Sequence, residues 1–302
     1  MNADSATGFS SKPIDIASPV VEMARAKVNL ALHVTGQRDD GYHTLDSLVV
    51  FPEYGDELRL TPADDMALHV SGPFASGLGS NTSANLAMKA AWLMAESVPG
   101  NRSARIELEK RLPIAAGIGG GSADAAATLR ALGRLWDVHP SSHNLEKLAL
   151  RLGADVPMCF TEKHSRVRGI GEQIETTPPF PKGAIVLVNP GVKLETPDVF
   201  KALAKKNNSP LPALPEKWTG IQNFANWLKG CRNDLQAPAQ SMVPEIAEVI
   251  SLLDTQWETL LARMSGSGPT CFALCATLSD AQAVAERIKE HRPGWWVQAA
   301  CY

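Results

Sequence analysis

The 302-residue chain is short of cysteine and aromatic residues, carries no surplus of either charge and contains no long hydrophobic run. Its five cysteines (Cys159, Cys231, Cys271, Cys275 and Cys301) are an odd number scattered over a long chain, which is not the framework of a disulfide-stapled secreted domain. A reducing, cytoplasmic setting is expected. No run approaches the roughly 18 apolar residues of a membrane span, and residues 1–22 lack the apolar centre of a secretion signal, so neither membrane insertion nor export is expected. Lys plus Arg number 29 against 32 for Asp plus Glu, a net charge of -3, which leaves no basic excess for a nucleic-acid backbone. Any anion must be gripped by local geometry. With 23 Gly, 21 Pro, 44% apolar and 20% charged residues, the composition is that of a globular protein rather than a collagen, a coiled coil or a disordered chain.

At about 150 residues per domain the length predicts two domains. Residues 1–22, mixed in Ser, Ala, Asp and Pro, are expected to form a mobile tail. The proline-rich stretch 176–183 is the best linker, which divides the rest into an N-terminal domain, 23–180, and a C-terminal domain, 181–302. Partial alternation predicts strands at 24–35, 45–52, 57–61 and 105–110, then at 184–189 and 270–276. Apolar spacing of three to four predicts helices at 85–96, after the glycines near 120 with Ser122 or Asp124 as the cap, and at 144–152, 246–254 and 280–291. Strands and helices interleave without a regular βαβ period, which favours an α+β fold over a doubly wound parallel sheet.

The most informative segment is 112–126, Leu-Pro-Ile-Ala-Ala-Gly-Ile-Gly-Gly-Gly-Ser-Ala-Asp-Ala-Ala, between a predicted strand and a predicted helix. Gly117, Gly119, Gly120 and Gly121 have no Cβ, so main-chain N–H groups can turn toward a bulky anion while the following helix N-terminus adds partial positive charge. This is a phosphate cradle in form. No Gly-Lys pair occurs anywhere, which excludes a Walker A loop, and Ser122 breaks the dinucleotide pattern Gly-x-Gly-x-x-Gly. Protein-kinase signatures are also missing.

Three segments resemble the small-molecule kinase superfamily of galactokinase, homoserine kinase, mevalonate kinase and phosphomevalonate kinase: Ala24-Arg-Ala-Lys-Val-Asn-Leu-Ala-Leu32, the glycine loop, and Met264-Ser-Gly-Ser-Gly-Pro-Thr270. Two more, Gly36-Gln-Arg-Asp-Asp-Gly-Tyr-His-Thr44 and Gly153-Ala-Asp-Val-Pro157, are similar to one branch, which acts on a cytidyl-diphospho-methylerythritol in the non-mevalonate isoprenoid pathway. The resemblance implies an N-terminal domain like ribosomal protein S5, a ferredoxin-like C-terminal α/β sandwich and an active site in the cleft between them. It implies ATP and Mg²⁺, a small-molecule acceptor, no nucleic-acid or membrane partner, and a monomer or homodimer. A different kinase of the superfamily and a non-catalytic nucleotide-binding protein are the alternatives.

On the residues alone, Lys27 and Asn29 are two apart on a predicted strand and point to one face. Asp155 stands in an apolar stretch, where an ionised carboxylate needs a partner. The resemblance implies that Lys27 stabilises transferred charge, that Asp155 is the general base, and that Asn29 binds the acceptor. It further implies that Pro113, Ala116, Gly117, Ile118, Gly119, Gly120, Gly121, Ser122 and Ala123 hold the nucleotide, and that Tyr42, His43, Thr196 and Phe200 bind the acceptor. Gly266 and Gly268 are expected to close beside the phosphate loop. No metal site is expected: His139 and His143 are four apart, but Pro140 between them argues for a loop. Cys271 and Cys275 flank an apolar run and are expected to pack.

Overall fold

The computed structural model describes residues 18–79, 82–138 and 143–302, with the side chains of 143 and 144 left aside. Residues 1–17, the greater part of the expected tail, and His139 lie outside the described residues. In the N-terminal half the strands are β1 (Val20–Arg25), β2 (Val28–Gln37), β3 (His43–Val50), β4 (Gly55–Pro62), β5 (Ala67–Ser71), β6 (Ala104–Glu109), β7 (Ser165–Gly169) and β8 (Gln173–Thr176). Its helices are α1 (Leu86–Ser97), α2 (Gly120–Leu135), α3 (His143–Leu152) and α4 (Val156–Thr161). The C-terminal half comprises β9 (Ala184–Asn189), α5 (Thr196–Lys201), α6 (Ile221–Lys229), α7 (Gln236–Met242), α8 (Glu245–Asp254), β10 (Thr259–Met264), β11 (Cys271–Cys275), α9 (Leu278–His291) and β12 (Trp296–Cys301).

The predicted strand 24–35 is two strands in two sheets. β1 pairs with β4 and β2 with β3, and β1 starts at Val20, inside the stretch expected to be tail. The break falls at Ala26 and Lys27, whose N–H groups donate to Tyr54 O and Ile118 O at 3.0 and 2.8 Å instead of to a strand. One sheet has the order β1-β4-β6-β5 and a second the order β2-β3-β7-β8. Ile106 and Leu108 of β6 and Leu58 and Leu60 of β4 face the first core, with Glu107 and Arg59 turned out, as period-two alternation requires. α1, α2, α3 and α4 cover that face. Alanines at 123, 125, 126, 127 and 131 let α2 lie close under α1 and α4. Asn85 caps α1, its Oδ1 accepting from Ala87 N–H at 2.8 Å.

The third sheet, β10-β11-β9-β12, is antiparallel throughout. With α8 between β9 and β10 and α9 between β11 and β12, its connectivity is the split βαββαβ of a ferredoxin-like sandwich. α9 is held at its start by a capping box between Thr277 and Asp280. Cys271 and Cys275 are fully buried among apolar neighbours, and burial pushes both thiols up, Cys275 to about 12.

A separate apolar cluster fuses the halves. Val28 and Leu30 of β2 and Leu48 and Val50 of β3 pack with Ile185 and Leu187 of β9, Phe272 and Leu274 of β11, and Phe224 and Leu228 of α6. Arg263 crosses the same seam and donates to Leu30 O at 2.7 Å, Leu228 O at 2.9 Å and Cys231 O at 2.7 Å. With no carboxylate beside it, burial lowers its pKa to about 10. The proline-punctuated stretch after α5 is pinned across the seam as well. Arg166 grips Asp46 through two bonds of 2.7 and 2.6 Å, and Leu211 N–H adds a third to Asp46 at 2.9 Å. Phe272 is fully buried in this seam, so Phe272→Ala is expected to lower the unfolding free energy by about 3–5 kcal/mol, measured by urea denaturation. A loss below about 1 kcal/mol would mean that the seam does not carry the association of the two halves.

Candidate active site

One cleft of about 1170 Å³ opens where the two halves meet. Its floor is the glycine loop and the start of α2. The expected cap is absent: neither Ser122 nor Asp124 caps α2, whose N-cap is Gly119 in the left-handed region at φ 68°, without a side-chain hydrogen bond. The first intrahelical bond is Ala123 N–H to Gly119 O at 2.9 Å, so the N–H groups of Gly120, Gly121 and Ser122 belong to the first turn, which has no partners within the helix. Gly119, Gly120, Gly121 and Ser122 line the cleft, which aims the positive end of a 16-residue helix into it.

Pro113, Ala116 and Gly117 line the same cavity. Ile118 and Ala123 do not: both side chains sit in the cores, and their main chains are engaged, Ile118 O by Lys27 N–H and Ala123 N–H by Gly119 O. The loop is locked from the C-terminal half. A Cβ on Gly117, whose φ is 71°, would lie 2.7 Å from Gly268 N and O and from Ser265 O, and one on Gly266 would lie 2.6 Å from Gly117 O. Ser265 Oγ donates to Gly117 O at 3.2 Å, and Asn233 Nδ2 ties Met264 O and Gly266 O at 2.8 Å each. The Gly266–Gly268 segment therefore lies main chain to main chain against the glycine loop, with Ser265 and Asn233 adding side-chain bonds.

Lys27 and Asp155 meet in the cleft, Nζ to Oδ2 at 2.8 Å. Asp155 stands at the start of α4 but makes no capping bond, so its carboxylate serves the cleft rather than the helix. Burial works against the Lys27 ammonium, yet the charge and hydrogen bond of Asp155 outweigh it and hold its pKa above the ordinary value. The lysine stem lies along Gly119, whose missing Cβ would come within 3.2 Å of it. Asn29 is buried, donates from Nδ2 to Ser47 Oγ at 2.7 Å and leaves Oδ1 without a partner. Elsewhere in the cleft the His43 and Phe200 rings stack at 4.9 Å, and burial, then the charge of Lys206, lowers the His43 pKa. Tyr42 is 62% exposed at the mouth. Thr196 Oγ1 shares a 2.7 Å hydrogen bond with Ser267 Oγ, which joins α5 to the second glycine loop.

Sequence reasoning missed a buried cluster under the glycine loop. Lys110 Nζ bonds Asp124 Oδ2 at 2.7 Å and also Asp56 Oδ2, while Asp56 Oδ1 accepts the N–H groups of Arg111 and Leu112 at 2.6 and 2.8 Å. One ammonium thus faces two carboxylates, and Asp124 Oδ1 has no partner. Burial, opposed by Lys110, raises Asp124 to about 8. The available signals were Asp124 on the apolar face of α2 and Lys110 ending an alternating strand. Glu162, at the end of α4, pairs with Arg130 at 2.7 Å and Arg25 at 3.4 Å.

Residues 85–163 match the GHMP kinases N-terminal domain and residues 211–294 the GHMP kinases C-terminal domain. A 4-diphosphocytidyl-2-C-methyl-D-erythritol kinase of Cereibacter sphaeroides is 49% identical over 280 residues, covering 92% of this chain and 97% of the relative. The chain belongs to the 4-diphosphocytidyl-2-C-methyl-D-erythritol kinase family. A second member, from Rhizobium johnstonii, is 47% identical over 99% of this chain and 97% of its own length. A crystal structure of 4-(cytidine 5'-diphospho)-2C-methyl-D-erythritol kinase superposes with a TM-score of 0.75 at 33% identity, over 93% of this chain and 98% of that one. The L. major mevalonate kinase structure, at 16% identity, 96% and 98% coverage and a TM-score of 0.66, shares the fold. Membership makes this chain a small-molecule kinase with the α+β, two-part fold expected of it, and a GHMP kinase implies ATP. Among the described residues no helix is long and apolar enough to cross a membrane.

Gly117→Ala, which forces a left-handed φ on alanine and a Cβ into Gly268 and Ser265, is expected to raise the KM for ATP at least about tenfold and lower the melting temperature, measured by steady-state kinetics and thermal unfolding. Unchanged values would mean that the two loops do not need this contact. Because the folded pKa of Asp124 exceeds its unfolded value, the native state binds the extra proton, and stability falls as pH rises from about 4 toward about 8. Asp124→Asn is expected to flatten that decline in urea titrations between pH 5 and 8; an identical slope in the variant would place the titrating group elsewhere.

Proposed function

We infer that this protein transfers the γ-phosphate of ATP to the 2-hydroxyl of 4-diphosphocytidyl-2-C-methyl-D-erythritol, in the cytoplasm. The observation that carries the chemistry is the Lys27–Asp155 pair, 2.8 Å apart in the same cleft as the uncapped start of α2. The triphosphate lies on the main chain of residues 117–122, and the helix end offsets its charge. Leu78, Leu86 and Ile114, apolar residues of the same cleft near the glycine loop, suit the face of adenine.

The acceptor oxygen attacks the γ-phosphorus, the bond to the β-bridging oxygen breaks, ADP leaves, and the acceptor proton passes to Asp155. Asp155 has room for this, with 39% of its side chain exposed. Lys27 holds Asp155 in place and meets the charge on the moving phosphoryl group. Asn29 Oδ1, buried and unpartnered, is placed to accept from an acceptor hydroxyl. Thr196 at the start of α5 and Phe200 with His43 enclose the cytosine end, and Tyr42 covers it from the mouth.

A Mg²⁺ ion would come in with the nucleotide, as phosphoryl transfer generally requires. The Ser122 hydroxyl, in the first turn of α2 and lining the cleft, would help hold it, and the ion would neutralise phosphate charge. The aromatic pair and the family membership favour a cytidyl acceptor over homoserine or mevalonate. A coupled ADP-release assay is expected to show turnover with the cytidyl-diphospho acceptor and none with homoserine or mevalonate. Asp155→Asn is expected to lower kcat by about 10²–10⁴-fold with the KM for ATP within a few-fold of wild type. Wild-type turnover in the variant would remove Asp155 from the proton path.

A further inference from the structure

The proposed acceptor carries a diphosphate between its cytidine and its reacting hydroxyl, and none of the groups placed above meets it. The charges that line the cleft decide what can. Lys27 is neutralised by Asp155, and Lys110 by Asp124 and Asp56. Asp40 is neutralised by Arg38 at 2.8 Å. Among the described residues lining the cleft, the cations left without a carboxylate are Lys201 and Lys206. Lys201 ends α5 with an exposed side chain. Lys206 is half-buried, and its Nζ donates to the neutral Gln37 Oε1 at 3.1 Å. Gln37 in turn donates from Nε2 to Gly41 O at 3.1 Å, in the turn that presents Tyr42 and His43.

The backbone that carries Lys206 is fixed. Asn208 N–H and Nδ2 both reach Val34 O, at 3.0 and 3.1 Å, and Nδ2 also reaches Lys205 O at 3.0 Å. Three residues further on, Leu211 N–H is bound by the buried Asp46–Arg166 pair. Lys206 thus stands, without a carboxylate partner among the described residues, on a tethered segment beside the His43–Phe200 stack. Its present partner is an amide oxygen, which a phosphate oxygen outbids for an ammonium proton.

Resting on the cytidyl reading of the acceptor site, we propose that Lys206, positioned by Gln37, binds the diphosphate of the acceptor and makes the enzyme select nucleoside diphosphates over nucleosides at this end of the cleft. Cytosine recognition and phosphate recognition then come from adjacent points on the rim, and Lys206 leaves the chemistry at Lys27 and Asp155 untouched. Because the segment is already ordered, little conformational entropy opposes the contact.

The test is calorimetric titration of cytidine and of CDP into the full-length protein with the nucleotide-donor site filled by a non-hydrolysable ATP analogue. Wild type is expected to bind CDP at least about tenfold more tightly than cytidine, with the preference shrinking as salt rises. Lys206→Met is expected to bring the two ligands within about threefold of each other without weakening cytidine, and Lys206→Arg to keep most of the preference. Thermal unfolding of each variant establishes that it is folded. If Lys206→Met retains the wild-type preference, or if Lys201→Met removes it instead, the assignment of Lys206 is wrong while the cytidyl reading stands. If wild type binds neither cytidine nor CDP, the cytidyl reading itself fails and takes this proposal with it.

Discussion

The arrangement depends on two glycine loops that touch main chain to main chain. Gly117 and Gly266 have no space for a Cβ, and the N-terminal glycine loop is shaped as much by the C-terminal half as by its own residues. Ser265 and Asn233 complete the contact with hydrogen bonds to carbonyl oxygens. Since buried main-chain groups must be paired, this seam satisfies the loop's carbonyls from outside and leaves the first N–H groups of α2 as the free donors facing the cleft. One close approach thus shapes both the seam between the halves and the glycine loop that lines the cleft.

Charge in the cleft obeys the same economy of partners. Lys27 stays cationic although buried because Asp155 lies against it, and Asp155 is free for that role because α4 begins without using it as a cap. Below the phosphate loop Lys110 serves two carboxylates, and the excess acid is relieved by the raised pKa of Asp124. Through Asp56 the cluster also holds the N–H groups of Arg111 and Leu112 at the entry to the loop. Such groups are costly to bury unless satisfied, so their presence beneath a binding loop reflects positioning more than stability.

Much of the fold was legible from local pattern. The alternating strand at β6, the helix opened by Asn85 and the buried strand β9 follow from residue spacing and one capping side chain. The errors came where tertiary contacts override local preference. Alternation runs through residues 24–35, but Tyr54 and Ile118 take the N–H groups of 26 and 27 and split the strand. Ser122 and Asp124 are good caps by type, yet Gly119 in the left-handed region starts α2 and turns Asp124 inward to Lys110. Between β9 and α8 the prolines hid α6, whose burial rests on Trp218, Phe180 and the seam between the halves.

By itself the sequence determined the class of fold and the family, because glycine content, helical spacing and short motifs act over a few residues. Only the tertiary structure decided that Lys27 and Asp155, 128 residues apart, are bonded, that Lys110 is shared between Asp56 and Asp124, and that Lys206 stands unneutralised beside His43 and Phe200. Those pairings depend on chain segments that meet only after the halves close, and Coulomb energy is set by distance in space rather than along the chain.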